Sequence, residues 1–233
     1  MNARVEVARR QGRLGLRREQ LSEEVAAHLR SAIMSGELRP GTFIRLDETA
    51  ATLNVSITPV REALLTLRGE GMVRLEPHRG HVVVPLSRKD IQDIFWLQAT
   101  IAKELAAAAA AHVTQAQVDE LGRLNELLSD AVDTRDVDAI VLAEFNFHLA
   151  LNQAAGRVKL AWFLQHAARY MPPLVYAADP VWGTEAVDHH RKLIAALGRH
   201  DADGAAELTE WQFSDGAKRL TEMLEKAGIW DGI

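Results

Sequence analysis

The feature that most constrains this chain is a change of period at Pro85-Leu86-Ser87. Beyond it there is almost no alternating, strand-like pattern. Apolar residues instead recur at three- and four-residue spacing, the mark of amphipathic helices. The spacing predicts helices over about 87–112, 115–134, 136–155, 158–171, 183–198 and 202–227. Thr114, Asp136 and Asp201 stand where N-caps are needed, while Gly156, Gly198 and Met171-Pro172-Pro173 stand where helices should stop. Such helices bury their apolar stripes only against one another, so residues 86–233 are expected to form an all-helical bundle. The alanine run Ala106–Ala111 suits close helix–helix approach, and Trp96, Trp162, Phe163 and Trp211 are expected in the core or in a dimer contact.

The front of the chain is patterned differently. A helix is expected from about Leu21, with Ser22 as N-cap, Glu23 and Glu24 in its first turn and an apolar stripe of Val25, Leu29, Ile33 and Met34. It should stop at Gly36. Two short helical segments follow, Asp47 to Leu53 and one from Ser56, which carries Pro59 in its first turn and Val60, Ala63, Leu64 and Leu67 on one face. Then Met72–Leu75 and His81–Val84 are β-like, joined by the turn Glu76-Pro77-His78-Arg79-Gly80, which makes a hairpin. Helix, helix-turn-helix and hairpin, in that order, spell a winged helix-turn-helix over residues 20–85. The expected fold is therefore mainly α: a winged helix-turn-helix followed by an all-α bundle.

Charge divides at the same place. Residues 1–85 hold 13 Arg against 10 Asp and Glu, and residues 86–233 hold 14 Lys and Arg against 22 Asp and Glu, within a net charge of −5. Six of those arginines lie in residues 1–19, a basic N-terminal arm. A basic front and an acidic rear suggest different partners. The absence of cysteine excludes a disulfide scaffold, a cysteine-based zinc finger and a thiol nucleophile. No apolar run approaches the ~18–20 residues of a membrane span. With no secretory signal pattern either, the expectation is a cytoplasmic protein without a membrane partner.

A recognition helix must hold one face on the core and present the other to the DNA major groove. Here Ser56, Ile57, Thr58 and Arg61 would meet bases and phosphates at the helix N-terminal end. Arg61 is the candidate for a charge-assisted contact, the alternative being a surface pair with Glu62 or Glu70. At the hairpin tip His78, Arg79 and Gly80 supply a cation and a close backbone approach. In the rear, Glu144 and His148 are four apart on one helix and share a face, and His190 sits on a later one. One carboxylate and two imidazoles inside a bundle suit zinc, nickel, manganese or iron. Each histidine by itself is equally a core or surface residue, and His166 and His189 read as surface positions. Asn152, Arg169 and Tyr170 are further candidates for an effector pocket, with Arg169 either an anion clamp or a solvated helix end.

Gly36-Glu37-Leu38-Arg39-Pro40-Gly41, Val55-Ser56-Ile57-Thr58-Pro59-Val60-Arg61-Glu62-Ala63-Leu64, Gly71-Met72-Val73 and Arg79-Gly80 together resemble the N-terminal signature of the GntR family of transcription regulators. Glu144-Phe145-Asn146-Phe147-His148 and His190-Arg191-Lys192-Leu193-Ile194 resemble the metal motifs of the FCD ligand-binding domain of its FadR subfamily. The resemblance implies a homodimer on pseudo-palindromic double-stranded operator DNA, most often a repressor. It also implies a helical sensor domain in which an acidic residue and three histidines hold a divalent ion, and an effector, often a carboxylate, completes its coordination.

The chain departs from that pattern at several positions. Ile57 stands where an arginine is usual and Asp47 where a basic residue is common, so Arg45, Arg68 and the N-terminal arm are the candidates for phosphate contacts. Glu144 replaces Asp, Gln212 falls at the third histidine position, and Gln98 and Ala102 replace an Arg-x-x-x-Glu pattern that the resemblance places at the effector. A metal-free pocket using the same face is the alternative to a metal centre. At the level of function the alternatives are a metal-dependent hydrolase built on Glu144, His148 and His190, which lacks a second carboxylate motif, and a constitutive DNA binder with an inactive sensor.

Overall fold

The computed structural model describes residues 20–231. The basic arm expected over residues 1–19 lies outside them. The chain divides into two compact units, one ending at Leu86 and the other beginning at Ser87.

In the first unit, helix α1 (20–34) buries Val25, Ala26, Leu29, Ala32, Ile33 and Met34. Ser22 does not act as the expected cap. The helix begins earlier, and the Ser22 hydroxyl donates instead to Glu62 at 2.6 Å. Arg30 is buried on the same helix and forks onto Glu70, with Nε and Nη2 each 2.9 Å from a carboxylate oxygen. A two-bond fork satisfies both ions where a single contact would leave lone pairs stranded. Strand β1 (Phe43–Ile44), helix α2 (Leu46–Thr52) and helix α3 (Ile57–Gly69) follow, then β2 (Val73–Glu76) and β3 (Gly80–Val83). Val60, Ala63, Leu64 and Leu67 of α3 are each 0% exposed, so one face of the helix is spent on the core.

The three strands form an antiparallel sheet in the order β1-β3-β2, with Phe43 opposite Val82 and Val73 opposite Val83. The third strand, β1, is an addition to the expected hairpin. Two residues are too few to show alternation, and the strand exists only because β3 returns to pair with it. At the hairpin tip His78 adopts φ +62° and Gly80 φ +99°. The glycine takes its conformation without strain, and a β-carbon there would sit 3.7 Å from the Ile44 carbonyl oxygen.

The second unit is a bundle of α4 (Arg88–His112), α5 (Gln115–Thr134), α6 (Val137–Ala154), α7 (Val158–Ala167), α8 (Pro173–Ala177), α9 (Pro180–Gly198) and α10 (Ala202–Lys226). Capping boxes open α4 (Ser87 with Asp90) and α5 (Thr114 with Gln117), and Asp136 and Asp201 cap α6 and α10. Each such cap is worth about 1 kcal/mol. The expected helix 158–171 stops earlier. Its last turn tightens into a 3-10 turn, Ala168–Tyr170, before Pro172. Helix α9 begins three residues earlier than expected, because Asp179 accepts a bond from the Val181 amide and Pro180 occupies the first turn.

The core joins Leu105, Ala106 and Ala109 of α4 to Phe147 of α6, Leu193 and Leu197 of α9 and Ala205 of α10, each 0% exposed. Alanines at the α4 contact leave room for a second helix at close range, and α10 packs along α4. Trp96, Trp162, Phe163 and Trp211 are not core residues. They are 67%, 47%, 56% and 53% exposed.

Candidate functional site

Two sets of side chains stand ready for partners, one on the outer face of the first unit and one inside the second. On the first, α3 turns Ile57, Thr58 and Arg61 away from its buried face, with Ser56 at the N-cap position. Ile57 is 43% exposed. The two acids that would compete for Arg61 are engaged elsewhere, Glu62 by Ser22 and Glu70 by Arg30. The surface pair considered for Arg61 does not form, and its guanidinium faces solvent. In the wing, the guanidinium of Arg79 lies 4.4 Å over the Phe43 ring, which fixes its direction at the tip beside His78 and Gly80. Arg45 precedes α2 and pairs loosely with Glu48 at 3.6 Å, both side chains being exposed.

Within the second unit, Glu144 and His148 on α6, His190 on α9 and Gln212 on α10 converge. The Glu144 Oε2 to His148 Nε2 distance is 3.3 Å, Glu144 Oε1 to His190 Nε2 is 3.8 Å, and the Gln212 amide lies 3.3 Å from His148 Nε2. One ligand atom each from Glu144, His148 and His190 fall within 4.8 Å of one another. Glu144 Oε1, His190 Nε2 and Gln212 Oε1 are buried without hydrogen-bond partners. Burial and pairing normally go together, because a stranded polar atom costs about 1–3 kcal/mol.

His190 is held by two neighbours. It is 0% exposed, and Phe147 stacks on its ring at 3.8 Å and 10°. Asn125 on α5 donates its amide N–H to the Val187 carbonyl at 3.1 Å, which turns the Asn125 carbonyl oxygen toward His190 Nδ1 at 3.2 Å. An oxygen there requires the proton on Nδ1 and leaves a lone pair on Nε2. Burial pushes the imidazole pKa down to about 3, against the pull of Glu144, so the ring is neutral. Burial pushes the Glu144 carboxyl up. The charge that the surrounding imidazoles carry when protonated, His190 first, and the His148 hydrogen bond outweigh it and hold the carboxyl below its ordinary value.

An ionised carboxylate oxygen and an imidazole lone pair thus face each other with no proton between them. That arrangement is repulsive until a cation or a hydrogen-bond donor enters. The donor set of one carboxylate and two imidazoles, with the Gln212 amide beside them, fits a divalent ion of the zinc, nickel or manganese type.

Other candidates lie apart. Gln98 on α4 is 0% exposed and donates to the Ala167 carbonyl at 2.8 Å, with its own oxygen buried and unpartnered. Asn152 is half-buried one turn beyond His148, and Arg169 and Tyr170 occupy the 3-10 turn after α7. His166 is half-buried against Trp162. His189, expected at the surface, is 6% exposed and stacks on Trp211 at 5.0 Å and 23°. Burial lowers its pKa, opposed by a hydrogen bond to the Leu208 backbone. Asn125 was not among the residues singled out from sequence, and His189 was read as a surface position. An Asn on an apolar helix face was the available signal for the first, and for the second nothing marked which of two adjacent histidines turns inward.

Fold and sites together define a winged helix-turn-helix DNA reader joined to a helical sensor. Residues 21–83 match the bacterial regulatory proteins of the gntR family, and residues 93–211 match the FCD domain. The chain belongs to the GntR family of transcription regulators and carries an FCD domain. It is similar to the HTH-type transcriptional repressor RspR of Escherichia coli K12, 24% identical over 90% of this chain and 93% of that one. It is likewise similar to the HTH-type transcriptional regulator McbR of the same organism, 27% identical over 79% of this chain and 85% of that one. A solved structure of E. coli McbR superposes with a TM-score of 0.69 at 25% identity, covering 87% of this chain and 97% of that one. The protein is a ligand-responsive, DNA-binding transcription regulator. Among the described residues, no helix is long and apolar enough to cross a membrane.

Proposed function

We propose that the protein is a repressor whose grip on a pseudo-palindromic operator is set by a small organic acid bound at Glu144, His148, His190 and Gln212. The observation that carries this reading is the set of buried, unpartnered atoms at one point of the bundle, Glu144 Oε1, His190 Nε2 and Gln212 Oε1. Such atoms are costly in a finished core and useful in a binding site. RspR is itself named a repressor.

A divalent ion held by Glu144, His148 and His190, with the Gln212 oxygen beside them, would supply a Lewis-acidic position for an effector carboxylate. Asn125 keeps the His190 lone pair aimed inward, and Phe147 holds the ring plane. Arg61, Ile57, Ser56 and Thr58 enter the major groove, with Ile57 suited to a thymine methyl group. Arg79, His78 and Gly80 approach the backbone at the wing, and Arg45 contacts phosphate. Gln98, Asn152, Arg169 and Tyr170 remain candidates for the effector pocket wall. The exposed aromatics Trp96, Trp162 and Phe163 suit a contact with a second copy, since an apolar surface of that kind favours burial.

The test is a fluorescence-anisotropy titration of a duplex recovered from host genomic DNA, run with divalent metals and a panel of small carboxylates. Release of the duplex by at least one acid, lost in His148→Ala, is expected. Indifference of the complex to every metal and acid, at concentrations that leave the fold intact, contradicts the reading.

A further inference from the structure

Beside the polar centre a narrow cleft opens between α9 and α10, lined by Trp182, Glu185 and His189 from α9 and Trp211, Gln212 and Asp215 from α10. Gln212 belongs to both places, because its amide lies 3.3 Å from His148. His189 is the informative residue. It is 94% buried, as its 6% exposure implies, and its Nε2 has no partner although it lines the cleft. Gln212 Oε1 is stranded in the same way. The Gln212 oxygen is a hydrogen-bond acceptor, and an uncharged imidazole has one acceptor nitrogen.

Charge at the rim has the same sense. Arg219 on α10 is shared by three carboxylates: Asp215 at 2.5 Å, Asp179 at 3.7 Å and Glu185. One cation among three anions leaves an excess of negative charge. Lys192 on α9 is exposed and does not line the cleft. Two indole rings, Trp182 and Trp211, are part of the wall. Trp211 stacks on His189, and Trp182 packs on Tyr176 at 5.7 Å, so neither ring is free to swing away. Acceptors, carboxylates and indoles without a lining cation are the complement of a positively charged, donor-bearing group.

We infer that this cleft is an ammonium subsite, so that the effector is a small amino-carboxylate rather than a simple acid. The inference rests on the proposed effector role of the Glu144–His148–His190 centre, which takes the acidic end, while the cleft takes the amine. An indole wall gains more from a cation as the site is desolvated, and a carboxylate adds to that attraction. Together they predict a preference for the amine of about tenfold.

The experiment is calorimetry on the full chain without DNA, with zinc supplied, comparing γ-aminobutyrate, butyrate and n-butylamine as probes. γ-Aminobutyrate is expected to bind about tenfold more tightly than butyrate. Glu185→Gln and Trp211→Leu, both at exposed positions, should reduce that advantage severalfold and leave butyrate affinity unchanged. In His148→Ala, n-butylamine should still bind while butyrate does not, so failure of the acid-binding reading alone leaves the amine result standing. Equal or tighter binding of butyrate, or amine binding indifferent to both Glu185→Gln and Trp211→Leu, overturns the subsite. So does absence of any heat from γ-aminobutyrate and n-butylamine.

Discussion

The two units of this regulator keep their functional groups in opposite places. Among the described residues of the DNA-reading unit the buried ones are almost all apolar, and a buried ion pair, Arg30 with Glu70, is forked and satisfied. The residues proposed to meet DNA are exposed, with Ile57 and Arg61 on the outer face of α3. In the helical unit the polar atoms of interest are inside. Most of the buried, unpartnered side-chain atoms among the described residues belong to it: Gln98 Oε1, Glu144 Oε1, His189 Nε2, His190 Nε2 and Gln212 Oε1, against His81 Nε2 in the first unit. A duplex is too large to be enclosed and is met by a surface. A small effector is selected by enclosure, where each unpaired acceptor penalises the wrong guest. The first unit is therefore built for stability with its function on the rim. On the proposed reading, the second gives up stability at its centre in exchange for responsiveness.

The largest effect that would sharpen this contrast lies at the centre. Zinc should raise the unfolding temperature of the helical unit, and His190→Ala should abolish the rise. At a metal concentration of about a hundred to a thousand times the dissociation constant, that is a loss of about 3–4 kcal/mol by mass action. Asn125→Leu removes the tautomer lock, together with the bond to the Val187 carbonyl, and should weaken zinc about tenfold to a hundredfold in calorimetry. Operator affinity of the metal-free protein should not change in either variant.

Next in size is Arg61→Ala. It should cost about 1–3 kcal/mol of operator affinity in anisotropy titrations and leave the zinc-induced thermal shift intact. A fall in zinc binding would erase the separation of roles.

Acidification of metal-free protein comes third. His190 is held neutral by burial at a pKa of about 3, far below its unfolded value. The unfolded chain therefore binds the extra proton, stability is fully present above about pH 6.5, and it is lost as pH falls below that. The helical unit should lose about 1.4 kcal/mol per pH unit there, followed by calorimetry. His81 in the first unit is also lowered, by burial first and then by Arg68, so that unit moves in the same direction.

The smallest effect belongs to Arg45→Ala. Its pairing with Glu48 is exposed and weak. Loss of one phosphate contact should weaken all duplexes alike and reduce the salt slope of binding by about one. Loss confined to one sequence would make Arg45 a base reader.

Most of the architecture was legible because it is written in local signals. Thr114, Asp136 and Asp201 cap the helices that follow them, and the period of Val60, Ala63, Leu64 and Leu67 gives the buried face of α3. What escaped depends on contacts distant in sequence. Strand β1 is defined by β3, and the orientation of His189 is set by α10, as is the exposure of Trp211. Spacing placed Glu144 and His148 on one face. That Gln212 joins them and that Asn125 sets the proton on His190 are facts of packing between helices, which no single helix carries in its pattern.

The most direct test of the central claim, that an enclosed guest in the helical unit governs an exposed grip on DNA, is reciprocal linkage. A ligand chosen by a thermal shift that His148→Ala abolishes should be titrated calorimetrically into free protein and into the protein–operator complex. The account predicts that bound operator lowers ligand affinity by the same factor by which saturating ligand lowers operator affinity. Identical ligand affinity in the two titrations would contradict it.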